Sequence, residues 1–259
     1  MEGRVDTAAQ LAAALHAVAE LGDMVSAVVL SGDLVNDGLG EQYDHLGELL
    51  GTAIAAGVGP FLPVVGNHDD REHFRALFAP LVPEIGGRAD DPVHYVVDRF
   101  VAAGGPRIVV LDTTVPGRHD GYLDDGDVSW LDRTLADAPH TPTVVVQHHP
   151  AFMSGVGFMD QYGLRGASHE ARVLEGHRQV RAVWSGHLHR HCVSTVGGVV
   201  AVGAPSTAAQ VWLDLGNGGT AYSSEPGAHM LHHVGCDPYV SHVVSASAGE
   251  RWVPSWARE

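Results

Sequence analysis

A chain of 259 residues with 45% apolar and 18% charged residues can bury a large core, and its 32 glycines point to many turns rather than to disorder. A formal charge of −16, with 15 lysines and arginines and no basic run, excludes a nucleic-acid polymer as partner, because that needs phosphate neutralisation by cationic side chains. No apolar run approaches the roughly 18–20 residues of a membrane span, and no basic segment followed by an apolar one opens the chain. With Cys192 and Cys236 read as two reduced thiols, the expectation is a cytoplasmic protein without a transmembrane segment.

Asp6 reads as an N-cap, and the Ala/Leu-rich stretch after it as a helix to about Leu21. "VSAVVLS" (25–31) is a short β-branched strand, "EQYDHLGELLGTAIAA" (41–56) a helix, "FLPVV" (61–65) a buried strand and "REHFRALF" (71–78) a helix. "RIVVLDT" (107–113) is a strand, and "DVSWLDRTLADA" (127–138) a helix with Asp127 as its cap. "TVVVQ" (143–147) and "VRAVWS" (180–185) are strands with a helix between them. Alternating short apolar strands and helices imply sheets covered by helices. From about residue 190 helices disappear, and five strand-like segments with Gly-containing turns suggest a β meander. The boundary is a change of texture rather than a linker, so residues 1–259 read as a single domain.

The central strands share one feature: each runs from apolar residues into a polar cluster. "VSAVVLS" ends in Gly32, Asp33, Leu34, Val35, Asn36 and Asp37, and "FLPVV" ends in Gly66, Asn67, His68 and Asp69. "TVVVQ" ends in His148, His149 and Pro150, and "VRAVWS" in Gly186, His187, Leu188 and His189. Ligands of open α/β sheets bind outside the carboxyl ends of the strands, so these four ends are expected to converge on one rim. A carboxylate, an amide and imidazoles meeting there form a donor set for divalent metal, with glycines admitting the sharp turns. Metal would also let an acidic chain bind a small anion such as a phosphate, by bringing positive charge locally.

In this order, "GDLVND", "GNHD", "HHP" and "GHLH" resemble the motifs of the calcineurin-like metallophosphoesterase superfamily over roughly residues 25–205. "GNHDDR", "LDTTVPGRHDGYL" and "APSTAAQ" are most similar to its class III cyclic-nucleotide phosphodiesterases. The resemblance implies an α/β/β/α sandwich and a two-metal centre that hydrolyses a small phosphodiester, 3′,5′-cyclic AMP above others, with a metal-activated hydroxide. It implies that Asp33 bridges two ions, that Asn67, His148 and His187 complete one shell, and that His189 binds the other ion. His68 would then act on the leaving oxygen, with Asn67 and His68 touching the substrate and Asp37 fixing the His68 tautomer. His149 is expected to pack or to support the ligands rather than bind metal itself, and His229, His232 and His233 to lie on the surface or on a pocket wall. The donors suit Mn, Fe, Zn or Ni without choosing among them. A homodimer is compatible with the resemblance.

One family element has no counterpart. The pattern begins with a strand ending in Asp-x-His, and nothing ahead of "GDLVND" supplies it; "EGRVDTAAQLAAAL" looks like the segment that follows that strand. A gene start placed too far downstream is the first explanation, and a true single-metal protein the second. In either case one ion is expected to bind better than two. The competing readings are a broader phosphodiesterase or phosphomonoesterase, and a degenerate non-catalytic metal-binding scaffold.

Overall fold

The computed structural model describes residues 4–216 and 219–246, with positions 252, 254 and 256. Asp6 accepts a hydrogen bond from Ala9 N–H at 2.9 Å and starts α1 (Thr7–Leu21), as its sequence position predicts. There follow β1 (Val28–Leu30), α2 (Gly40–Ala55), β2 (Phe61–Pro63), α3 (Arg71–Phe78), β3 (Tyr95–Val97) and β4 (Arg107–Leu111). The middle of the chain forms β5 (Gly121–Tyr122), α4 (Asp125–Ala136), β6 (Thr143–Gln147), α5 (Gly157–Asp160), β7 (Leu164–Arg165), α6 (Ala167–Gly176) and β8 (Val180–Ser185). It ends with β9 (Cys192–Val196), β10 (Val199–Gly203), β11 (Gln210–Val211), β12 (Tyr222–Ser223), β13 (Ala228–His233) and β14 (Val240–Ser245).

The main sheet has the order β3-β4-β6-β8-β10-β9. Its four inner strands are parallel and only the edges, β3 and β9, run antiparallel. That explains the apolar runs at residues 108–111 of β4 and 144–146 of β6, strands in which every residue is buried, because both faces of a parallel sheet are covered. On one face, Leu131 and Leu135 of α4 and Leu174 of α6 pack against Val109, Val145 and Val183. On the other lies the larger core, where Ile108, Val144 and Trp184 meet Val64, Phe74 and Leu50 from the β1–β2 layer and its helices. Helices, β1–β2, main sheet, helices: this is the α/β/β/α sandwich.

Two expectations need correction. Helix α4 is capped by Asp124, not Asp127; Asp127 is its third residue and closes a capping box by accepting from Asp124 N–H at 3.0 Å. The C-terminal strands do not form one meander: β9–β10 extends the main sheet, while β11–β12 and β13–β14 pair on their own. Loops between Gly203 and Gln210 and between Ser223 and Ala228, each containing proline, break the succession. His229, His232 and His233 lie on a pocket wall, the second of the two placements expected of them, and His232 stacks on Trp184 at a ring separation of 3.9 Å.

β1 is shorter than its apolar run. Among the described residues it pairs, in parallel, with β2 alone, and all three of its residues remain partly exposed, whereas Phe61, Leu62 and Pro63 beside it are buried. Along the other edge of β1 runs a cavity of about 2040 Å³ that reaches the loops after β1, β2, β6 and β8.

Candidate metal centre

The four polar strand ends meet. Gly32, at φ 93°, turns the chain out of β1, and a Cβ there would collide with the His148 ring and press on the Gly66 backbone. Gly66 allows a closer approach still, since its Cβ would overlap the backbone N and the Oδ1 of Asp33. Asp33, His187 and His189 themselves adopt positive φ (54°, 65° and 49°), a conformation that costs about 1–3 kcal/mol and that structures retain where side-chain direction matters.

Asn67 is the hub. Its Oδ1 lies 3.1 Å from His148 Nε2 and 3.1 Å from His187 Nδ1. His148 donates Nδ1–H to the Ser31 carbonyl at 2.8 Å, so Nε2 carries the lone pair of the neutral ring. That lone pair faces Asn67 Oδ1 and, at 3.4 Å, Asp33 Oδ2. Electron-rich atoms converging at this range need a cation among them. A proton on His148 meets the need, and a divalent ion meets it with every donor in its metal-binding form, so the donor set fits a metal. His187 is buried and its Nε2 has no hydrogen-bond partner among the described residues.

The electrostatics follow the geometry. Burial alone would raise the Asp33 carboxyl, but the charge and hydrogen bond of His148 and the His68 backbone N–H (2.9 Å) hold it well below the usual carboxylate range. Burial opposes charge on His148 too, yet Asp33 raises it. Burial, then the neighbouring His148, pushes His187 down to about 3. Burial also lowers His189, which donates Nδ1–H to the Ala209 carbonyl at 3.1 Å and lines the same cleft.

His149 is different. The nitrogens of His148, His149 and His187 lie within 4.8 Å of one another, a spacing that by itself suits a metal. Both His149 nitrogens are already used, however: Nδ1 meets the Thr113 hydroxyl at 2.8 Å and Nε2 the His119 carbonyl at 3.1 Å. It is a packing residue, as its sequence context suggests. His68 lines the cleft, and its Nδ1–H donates to the Asn36 carbonyl at 2.8 Å. Asp37 does not fix this tautomer: its carboxylate accepts from Asn36 and Gln42 instead.

Sequence reasoning missed three residues. Asp69 is buried and accepts from Leu34 N–H, Gly66 N–H (2.8 Å) and the Tyr43 hydroxyl (2.9 Å), tying the β1 loop to the β2 loop. Burial, then the Asp33 charge, pushes it up to about 6. Asp70 is the N-cap of α3, and that assignment would have left Asp69 free to turn inward. His119 accepts from Asn67 Nδ2 at 3.3 Å, which aims Asn67 Oδ1 at the two imidazoles. Nothing in the sequence singled out Tyr43.

A carboxylate, an amide and imidazoles on the strand-end loops of an α/β/β/α sandwich define a metallophosphoesterase-type protein. The family model for calcineurin-like phosphoesterases matches residues 5–191, and the chain belongs to that family. It is therefore a hydrolase of phosphoesters. It is 32% identical over 249 residues to a cAMP/cGMP dual specificity phosphodiesterase of Mycobacterium tuberculosis, covering 96% of this chain and 75% of the relative. It is 28% identical over 251 residues to a glycerophosphodiester phosphodiesterase of Enterobacter lignolyticus, covering 97% and 82%. A dimetal phosphatase from Danio rerio has the same fold, with a TM-score of 0.60 at 16% identity over 83% of this chain and 88% of that one.

Proposed function

We propose that the chain hydrolyses a small soluble phosphodiester, with 3′,5′-cyclic AMP as the leading substrate, at a divalent ion held by Asp33, Asn67, His148 and His187. The observation that carries this is the approach of His148 Nε2 to Asn67 Oδ1 and Asp33 Oδ2, which a divalent ion relieves with every donor in its metal-binding form. His189 and Asp33 form a thinner second position. A bound divalent ion supplies positive charge for the phosphate and makes water a stronger acid.

The remaining work falls to side chains. His68, anchored through Nδ1, presents Nε2 to the cleft and, when protonated, gives its proton to the leaving alkoxide. Asn67 is oriented by His119 and so cannot rotate its amide away from the reacting group.

Relatedness to a glycerophosphodiester phosphodiesterase supports a second substrate reading for the same site. Purified chain with Mn²⁺, assayed on bis(p-nitrophenyl) phosphate, p-nitrophenyl phosphate, cyclic AMP and glycerophosphocholine, separates these. Faster turnover of cyclic AMP supports the first reading, and faster turnover of glycerophosphocholine the second. Turnover of the monoester alone, or of none, rejects both.

A further inference from the structure

We propose that Tyr222 and Tyr162 are specificity-determining residues, whose rings stack on the planar base of a nucleotide with its phosphate at the metal position. The proposal rests on the reading above for the place of the phosphate, and adds what the rest of the substrate touches.

The β11–β12 ribbon holds Tyr222 beside the metal donors. Gln210 pairs with Ser223 and Val211 with Tyr222, and residues directly opposite each other in an antiparallel pair share a face. Val211 is buried with Val156, Met159 and Leu188, so its face of the ribbon turns toward the body of the protein and Tyr222 turns with it. There the Tyr222 ring lies 5.9 Å from that of His189. The ribbon has little room to swing. Val211 N–H donates to the His189 carbonyl at 3.2 Å, and His189 Nδ1–H to the Ala209 carbonyl at 3.1 Å. Arg190, next in the chain, donates to the Val211 carbonyl and reaches both carboxylate oxygens of Glu225, at 3.3 and 3.2 Å. The wall that carries Tyr222 is thus built before any ligand arrives, which lowers the cost of binding.

Tyr162 reaches the same cleft from α5. Met159 of that helix shares the cluster of Val211, and Phe158 packs against it, so helix and ribbon are joined beneath the cleft. The Phe158 ring meets Tyr162 at 5.3 Å, and Tyr162 meets His119 edge-on at 5.8 Å. His119, which orients Asn67, lies 5.5 Å from the His68 ring. A line of rings therefore runs from Phe158 to His68 on one side, and Tyr222 adjoins His189, all on the cleft that Asp33 and Asn67 line. Aromatic residues make up only 7% of the chain, and Tyr222, 57% exposed, adds little to the core. A base stacked on such a ring binds about 5–150-fold more tightly than without it. Aromatic rings also attract a quaternary ammonium group, but positive charge at the metal position beside them opposes a cation and leaves a neutral base unaffected.

The test is saturation-transfer NMR on the purified chain loaded with Zn²⁺, using adenosine, which carries no phosphate, and choline as separate probes. Expected is transfer to the base protons of adenosine that exceeds transfer to its ribose. That transfer should fall about fivefold or more in Tyr222→Leu and in Tyr162→Leu, which keep apolar bulk without a ring, and persist in Tyr222→Phe and Tyr162→Phe. Should Tyr162→Leu fail to fold, Tyr222→Leu, at an exposed position, provides the reading. Transfer undiminished in Tyr222→Leu overturns the proposal. So does transfer as strong to ribose as to base, or ring-dependent transfer to choline without any to adenosine. Adenosine bound through the two rings without turnover of bis(p-nitrophenyl) phosphate would support the base site and reject the hydrolytic reading, whereas turnover without bound adenosine would do the reverse.

Discussion

His68 is held through two atoms that serve different ends. Its backbone N–H supports Asp33 and its side-chain Nδ1 is anchored on Asn36, so the two roles separate on mutation. His68→Ala keeps the backbone contact and removes only the proton donor. Diester turnover should fall by about 10²–10⁴-fold with bound metal unchanged by elemental analysis. His119 acts through Asn67. His119→Ala should weaken metal binding or turnover by about 10–100-fold, and His119→Gln, which retains an acceptor, should recover part of the loss. Asn67 was legible from its place after a strand, but its orientation was not: His119 lies 52 positions away, and only the fold brings them together. The same is true of Tyr43 and Asp69, separated by 26 positions.

At the scale of elements, the site depends on loops that cross with no room to spare. Gly66→Ala places a methyl against the Asp33 backbone, which has no rotamer by which to give way. It should destabilise the fold by about 1–3 kcal/mol in denaturant titration and loosen metal at once. Gly51, inside α2 with open space around it, is the control: Gly51→Ala should stabilise by about 0.4–1 kcal/mol. Strands β6 and β8 and helix α3 were read from sequence with their observed limits, because apolar runs and capping residues are local signals. The extent of β1 was not, because pairing sets a strand's length and, among the described residues, β1 pairs only with the three residues of β2. The separation of the C-terminal strands into different sheets likewise depends on long-range partners that a run of β-branched residues does not encode.

At the scale of the molecule, one buried acid makes stability depend on pH. Glu170 is inaccessible to solvent, and burial pushes it up to about 7 from 4.5, against a 3.2 Å hydrogen bond from Gln147. A carboxyl raised on folding costs stability where it is ionised, above about pH 7, and the cost fades as pH falls toward 4.5, where folded and unfolded chains are both protonated. Glu170→Gln should therefore raise the melting temperature at pH 8 and lose that advantage near pH 4.5; its amide can also donate to Gln147 Oε1, which otherwise has no partner among the described residues. The central claim, that dispersed strand ends form one metal position, is tested most directly by calorimetric titration of Mn²⁺ into the purified chain. One tightly held ion per chain, lost in Asp33→Asn, is the expected result. Two ions held with equal strength, or binding that survives Asp33→Asn, would contradict it.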